Sequence, residues 1–149
     1  MILPNFKAFK ARGRLVGIDW GARRTGIAMS DEAREFVFPR KPILSNSLDE
    51  LVGAVAKLVV DEKIVGIVVG LPLRMDGSES ETTARVREFA DALSRHTDVP
   101  IMFVDETLSS TAAQESMGRV RVGDIKEKLD SESARLILEN AIALMGRCI

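Results

Sequence analysis

Residues 15–30 read LVGIDWGARRTGIAMS and consist of two apolar segments joined by a short basic turn. Such apolar segments predict two strands that are buried in a sheet. Asp19 lies where the first strand ends, and Arg23 and Arg24 lie in the turn. Because a carboxylate at the end of a buried strand loses hydration, Asp19 requires a cation beside it. Either an arginine or a metal ion supplies that charge, and a plain turn or salt-bridge role is the structural alternative.

The composition is that of one globular domain. The chain has 149 residues, of which 46% are hydrophobic and 29% are charged, and a chain of this length buries a sizeable core. A formal net charge of −1 argues against a protein that coats nucleic acid. An aromatic content of 5% argues against an aromatic stacking platform for single strands. Any polyanion must then be bound by a local patch or through metal ions.

Several features predict a cytoplasmic protein without membrane association. No apolar run approaches the ~18 residues of a membrane span. Residues 1–13 mix basic with apolar residues and do not make a signal peptide, so we interpret them as an N-terminal extension of a single domain over residues 14–149. The one cysteine, Cys148, cannot form an internal disulfide, which suits a reducing compartment.

The chain after the first hairpin predicts a third strand and then helices that alternate with strands. Residues 36–44 include two prolines, which favour a strand at the edge of a sheet. Ser47 and Glu50 form a Ser-x-x-Glu capping box that predicts a helix to about Glu62. Residues 64–69 form a continuous β-branched run that predicts a strand buried on both faces.

The second half of the chain continues this alternation. Ser78 and Glu81 form a second capping box, which predicts another helix. Further elements follow in the order of a strand at 101–104, a short helix at 110–117, a basic loop at 118–129 and a last helix that starts at Asp130 or Ser131. We therefore expect an α/β fold with a five-stranded mixed sheet, in which a three-strand meander precedes parallel crossovers and helices pack on the faces.

Acidic residues follow two of these strands, and a third acid lies at the predicted helix start. Functional crevices of open α/β sheets lie beyond the carboxyl ends of parallel strands, where Asp19 and the pair Asp105 and Glu106 are placed. Carboxylates that converge there repel one another unless a divalent cation neutralises them. Oxygen ligands without clustered histidine or cysteine favour Mg²⁺ or Mn²⁺ over zinc. Asp130 is the third candidate, with helix capping as its alternative role.

Four sequence blocks in order resemble the YqgF family of RNase H-like nucleases, which are related to RuvC Holliday-junction resolvases and are described as nucleases of pre-16S rRNA. The resemblance covers Arg14 to about Met145. The blocks are GIDWGARRTG at 17–26, VGLPLRMDGS at 69–78, VDETLS at 104–109 and KLDSESA at 128–134. The first block alone is less specific, because a related Asp-x-Gly hairpin also occurs in actin-like ATPases.

The resemblance implies an RNase H-like fold, hydrolysis of phosphodiester bonds with a divalent metal, a ribosomal RNA precursor as substrate and a cytoplasmic setting. It also implies that Asp19, Glu106 and Asp130 are the catalytic, metal-binding carboxylates. Two positions depart from the family pattern. Thr107 stands where a basic residue is usual, which puts a phosphate contact in doubt, and Ser133 stands where resolvases carry a further acid, which weakens the analogy to junction resolution.

Arg23, Arg24 and Arg74 are the candidate substrate-binding residues, with salt bridges as the alternative for the first two. Two metals about 4 Å apart activate a water and stabilise the leaving oxygen in such hydrolyses.

Among partners we favour structured RNA such as pre-16S rRNA over branched DNA, together with ribosomal precursor particles. A branched-DNA resolvase, a non-catalytic RNA-binding or ribosome-binding module and an ATPase lobe remain alternatives. Monomer and homodimer remain open, as does the choice between Asp105 and Glu106 as ligand.

Overall fold

A computed structural model describes residue 2 and residues 12–74, 76–105 and 122–147, with the side chains of the last helix described from 132 to 145. In chain order the elements are β1 (Arg14–Asp19), β2 (Arg24–Ser30), β3 (Val37–Leu44), α1 (Leu48–Asp61), β4 (Ile64–Leu71), α2 (Glu81–Ser94), β5 (Ile101–Asp105) and α3 (Val122–Arg147). The short helix that the sequence predicts at 110–117 lies outside the described residues.

The five strands form one sheet in the order β3-β2-β1-β4-β5. β1, β2 and β3 pair antiparallel, whereas β4 and β5 run parallel to β1. This arrangement confirms the predicted mixed sheet, with the meander first and parallel crossovers after it. β3 lies at an edge as predicted, because Pro39 and Pro42 lack the N–H that a central strand donates to its neighbours.

Helices cover the two faces of the sheet unequally. Val16 and Ile18 of β1 face α1 and α2, and Phe89 of α2 is fully buried among them. Leu15 faces the other way, toward Ala134 and the other buried residues of α3. Since successive side chains of a strand alternate between faces, the odd-numbered residues of β1 belong to the face of α3.

The starts of α1 and α2 are fixed by side-chain caps. Ser47 Oγ accepts a hydrogen bond from the Glu50 N–H at 3.2 Å, which confirms the first predicted cap. The second prediction is wrong: Ser80 rather than Ser78 caps α2, in a box completed by Thr83. The Ser78 hydroxyl instead donates to Asp76 Oδ1 at 2.6 Å, so it is engaged in the preceding turn.

The last helix starts earlier than the sequence predicts. Its described backbone is helical from Val122, so residues 122–129 are not a loop and Asp130 lies inside the helix rather than at its start. Asp130 is therefore not an N-cap. The segment carries helix-favouring Lys, Glu and Leu residues, with Asp124 four residues before Lys128, and this spacing supports a helix.

Ile2 lies in the predicted N-terminal extension and contacts the opposite edge of the sheet. It forms a parallel bridge with Ile101 of β5 and packs, partly buried, against the core shared by α1 and α2. Among the described residues, the helices include none with the length and apolarity needed to cross a membrane.

Candidate active site

Asp19 is the last residue of β1, at the carboxyl end of the strand. It lies opposite Gly26 of β2, and the pairing of Ile18 with Val69 puts Gly70 of β4 at the next level on its other side. Because Asp19 is odd-numbered within β1, it belongs to the face covered by α3. Neither glycine has a side chain, so the positions directly beside Asp19 on the two neighbouring strands add no side chain of their own.

The helix α3 comes very close to β1 two residues before Asp19. A Cβ atom added to Gly17 would lie 2.7 Å from Leu138 Cβ and 2.8 Å from the Ala134 carbonyl oxygen. Contacts this short are not tolerated between such atoms. Gly17 is thus required for the helix backbone to approach the sheet, and the approach occurs about 7 Å along the strand from Asp19.

The direction of α3 is set by contacts at its other end. The Arg34 side chain donates to the Gly13 carbonyl oxygen at 3.0 Å and contacts Met145 Sδ at 4.0 Å. The C-terminal part of α3 therefore lies near the start of β1, and its N-terminal part extends toward the strand end that carries Asp19. Asp130 is one helical turn before Ala134, on the Asp19 side of the close contact.

The turn between β1 and β2 is held by its own residues. A Cβ on Gly21 would lie 2.0 Å from the Arg24 carbonyl oxygen, so this position accepts glycine alone. The buried Thr25 hydroxyl donates to the Gly21 carbonyl at 3.3 Å and accepts from the Gly21 N–H at 3.4 Å. The Ser45 N–H donates to the Arg23 carbonyl at 2.9 Å, which joins the turn to the end of β3.

These contacts place the basic turn beside Asp19. Arg23 is exposed, and Arg24 is partly buried as the first residue of β2. Arg24 is two residues from Gly26, so strand alternation gives it the face of Asp19. Trp20 is partly buried and packs against the core under α1 and α2.

The loop that follows β4 carries Arg74 at the same end of the sheet. Its turn is closed by the Gly77 N–H, which donates to the Arg74 carbonyl at 2.8 Å, with Gly77 at a positive φ of 85°. Asp76 accepts from the N–H and hydroxyl of Ser78, and these bonds lower the pKa of its carboxyl. Asp76 thus braces the turn. Arg74 itself is exposed.

Asp105 does not share the face of Asp19. It ends β5 opposite Leu71 of β4, and its neighbour Val104 packs on the α3 side, so alternation sends Asp105 to the face of α1 and α2. β4 separates β5 from β1. Asp105 thus lies two strands from Asp19 and on the opposite face, while Glu106 lies outside the described residues.

Arg87 of α2 joins parts of this end of the sheet that the sequence does not connect. Its guanidinium pairs with Glu79 of the β4–α2 loop and lies 5.5 Å from the centre of the Phe103 ring in β5. The partners are 8 and 16 residues away from Arg87 along the chain, so no local pattern indicates them. The contact links the β4–α2 loop, which also carries Arg74, to β5.

The donors available in the described part suit a hard cation rather than zinc. His96, the one histidine, is exposed and its Nδ1 lies 3.0 Å from the Ala92 carbonyl oxygen. Within the described residues no three acidic, histidine or cysteine side chains come together as a metal site. Two of the three predicted ligands, Glu106 and the side chain of Asp130, lie outside the described residues.

The fold and the position of Asp19 define an RNase H-like protein: a meander-first mixed sheet, a long helix across one face, and a carboxylate ending the first strand. Solved structures share the fold. RuvC of T. thermophilus in complex with Holliday junction substrate aligns with a TM-score of 0.57 at 10% identity, over 90% of this chain and 96% of that one. The Fowlpox virus resolvase aligns with a TM-score of 0.51 at 12% identity, over 91% and 99%.

Sequence relatives place the chain more closely. The model of the RuvX family, described as Holliday junction resolvase, matches residues 13–143. A "Putative pre-16S rRNA nuclease" of Maridesulfovibrio salexigens is 40% identical, over 87% of this chain and 98% of the relative. One of the same name from Sphingopyxis alaskensis is 37% identical over 97% and 96%. The chain belongs to the RuvX family, also called YqgF, and is a nuclease of that family.

Proposed function

We propose that this protein is a divalent-metal-dependent nuclease that hydrolyses phosphodiester bonds during maturation of the 5′ end of pre-16S rRNA. One observation carries the proposal. Asp19 ends β1 between Gly26 and Gly70, on the face where α3 makes its closest approach to the sheet. That arrangement brings a strand-borne acid and a helix together at the carboxyl end of the sheet, where α/β enzymes bind their substrates.

The proposed ligand set is Asp19, Glu106 and Asp130. Asp105 belongs to the opposite face of the sheet from Asp19. Because side chains alternate between faces along a strand, the next residue, Glu106, is predicted to belong to the face of Asp19. Asp130 precedes Ala134 and Leu138 by four and eight residues in α3, and this spacing predicts one stripe of the helix. Both arguments favour the same set that the family resemblance implies.

Three carboxylates of this kind suit Mg²⁺ or Mn²⁺, which when bound supplies Lewis-acid activation of water and stabilisation of the leaving oxygen. The chain's own contribution is to position the substrate. Arg23 and Arg24 flank Asp19 in a turn held by Thr25, and they are placed to bind the phosphates of the cleaved strand. Arg74 extends that basic surface from the loop after β4. Thr107 replaces the family's usual basic residue, so these arginines take a larger share of phosphate binding.

The proposed substrate rests on the relatives. Proteins named as pre-16S rRNA nucleases match this chain over almost their whole length, and we infer from this a cytoplasmic enzyme that acts on RNA within ribosomal precursor particles. Residues 14–149 then form the nuclease domain and residues 1–13 its extension. Monomeric and dimeric forms are both compatible with this site.

A cleavage assay with a matched pair of variants tests the proposal. The substrates are an RNA that contains the 16S 5′ precursor junction and a four-way DNA junction, each with Mg²⁺, with Mn²⁺ and with chelator. We expect Asp19→Asn to reduce RNA cleavage at least about 100-fold, because losing a metal ligand removes the charge that binds the cation. The control is Asp105→Asn at the end of β5, two strands from β1 and on the other face, and we expect it to keep wild-type activity. Equal activity of wild type and Asp19→Asn refutes the mechanism.

A branched-DNA resolvase is the second candidate, favoured by the name of the matched family and by the fold of the structural relatives. The buried Ser133 argues against it, because it is 3% exposed and stands where resolvases carry a further acid. Metal-dependent cutting of the four-way junction without cutting of the RNA would establish the resolvase instead.

A further inference from the structure

Two exposed aromatic rings lie where β3 begins, one in the strand and one just before it. Phe36 is 61% exposed and Phe38 is 51% exposed, and their ring centres are 6.4 Å apart with planes inclined by 30°. Phe38 pairs with Met29, whose side chain faces α1 and α2, so this ring projects on that side of the sheet edge. Exposed neighbouring rings of this size are uncommon on a protein surface unless they bind something.

Phe36 is held in place by the turn that precedes β3. Its N–H donates to Asp31 Oδ1 at 2.9 Å, and its carbonyl accepts from the Asp31 N–H at 3.2 Å. The Arg34 N–H also donates to the Asp31 carbonyl at 3.1 Å. A ring on a fixed backbone loses less conformational entropy on binding than a ring on a mobile one.

The neighbouring charges favour an anionic partner. Arg40 lies two residues after Phe38 on the same face and contacts Glu62 at 3.4 Å, and Arg14 contacts the same carboxylate at 3.1 Å. Arg40 and Arg14 thus place two guanidinium groups on this face, with the Glu62 carboxylate between them. The exposed Glu35 carboxylate lies on the other side, next to Phe36, so phosphates are favoured at the Arg40 end.

Strand pairing is an unsuitable use for this edge. Pro39 and Pro42 lie within β3, and neither has an N–H to donate to an added strand. A second copy of the chain or an extended peptide therefore cannot form a continuous ladder along β3. The exposed rings, in contrast, suit nucleic-acid bases, because bases of any sequence stack on aromatic side chains.

We propose that Phe36 and Phe38 form a stacking surface for bases of a single-stranded RNA segment, with Arg40 toward its phosphates. The surface lies about 10 Å along the strands and about 10 Å across them from Asp19, on the other face. It thus binds RNA that flanks the cleaved bond rather than the bond itself. The inference rests on the proposed RNA substrate and adds a site outside the catalytic carboxylates.

Binding of a labelled single-stranded 12-nucleotide RNA, measured by fluorescence anisotropy in chelator, tests the proposal without cleavage. Phe36→Leu/Phe38→Leu keeps an apolar surface but removes both rings, and we expect its affinity to fall at least about fivefold. Phe36→Tyr/Phe38→Tyr keeps the rings and wild-type affinity. Val60→Ala removes another exposed apolar side chain, 76% exposed on α1, and leaves affinity unchanged.

Wild-type affinity in the leucine variant overturns the stacking surface, and so does an equal loss of affinity in the tyrosine variant. Circular dichroism establishes that each variant is folded, and the single Phe36→Leu change, outside β3, replaces the double variant if that one unfolds. Cleavage by the wild type is measured in parallel. If the wild type cleaves RNA and the leucine variant binds RNA as tightly as the wild type, only the stacking surface is rejected. If RNA binding depends on the rings but the wild type shows no metal-dependent RNA cleavage, only the proposed function is rejected.

Discussion

The two faces of the sheet are packed in different ways. The face under α1 and α2 is filled by large side chains such as Phe89 and Leu93, which hold the helices away from the strands. The face under α3 contains Gly17 and small residues such as Ala28 and Ala134, and here the helix backbone nearly touches β1. Among the described residues, the first face has the larger set of buried hydrophobic side chains, while the second sets how closely α3 approaches the strand that carries Asp19. Both faces therefore contribute to stability, but we expect only the second to position the proposed site.

Matched cavities on the two faces should separate these roles. Leu93 and Leu138 are both fully buried, so each Leu→Ala change is expected to lower the free energy of unfolding by about 2–5 kcal/mol. At a temperature where both variants are folded, Leu138→Ala should lose most of the RNA cleavage because α3 shifts over Gly17. Leu93→Ala should keep it. Urea unfolding and cleavage rates check the pair, and equal loss of cleavage in both contradicts the division between faces.

A methyl group added at Gly17 tests the same contact between α3 and the sheet, this time with a change in β1. Gly17→Ala puts a methyl group against the Ala134 carbonyl, which cannot rotate away, so α3 must move outward. We expect a loss of about 1–3 kcal/mol in stability and a larger fractional loss of cleavage than of substrate binding.

Gly53→Ala is the control for adding a methyl group. A Cβ at Gly53 in α1 meets nothing within 4 Å, so alanine should raise stability by about 0.5–1 kcal/mol through helix propensity and leave cleavage unchanged. If Gly17→Ala cleaves RNA as fast as Gly53→Ala, the close approach of α3 is not needed for activity.

The smallest effect concerns Asp31, which lies beyond the end of β2. The hydrogen bond from the Phe36 N–H lowers the pKa of its carboxyl. The ionised carboxylate therefore stabilises the turn at pH values above the ordinary aspartate pKa, and this stabilisation is lost as the pH falls through the lowered pKa. An NMR titration should show Asp31 titrating below exposed aspartates. The Phe36 amide resonance should shift at the same midpoint, and a midpoint in the usual range would contradict the bond.

Sequence patterns predicted the sheet well because they reflect local chemistry. The apolar runs and the two prolines gave the strands and the edge position of β3, and Ser47 was recognised as a cap from its own spacing. The site was predicted less completely. Strand alternation separates Asp105 from Asp19 once the pairing partners are known, whereas the sequence left Asp105 and Glu106 open. The three-ligand set and the roles of the arginines stay predictions.

The failures have physical causes. Ser78 and Glu81 fit the capping pattern, but Asp76 engages the Ser78 hydroxyl and Ser80 caps the helix instead. Asp130 is a good N-cap residue, yet the helix had already begun at Val122. The low aromatic content argued against a stacking surface, but an average over the chain does not report that Phe36 and Phe38 are exposed side by side.

The bridge between Ile2 and Ile101 has a consequence for how the protein aggregates. At β3 the sheet edge is protected by prolines, which lack the N–H that strand pairing requires even when the chain partly unfolds. At β5 the protection by Ile2 requires the folded N-terminal segment, and chain termini are among the first segments to fray on heating. Release of Ile2 uncovers Ile101 on a β-branched, apolar edge, which is a favourable template for intermolecular strand pairing. We therefore expect heat-induced aggregation to begin at β5, and an affinity tag attached before Met1 to weaken the protection of that edge.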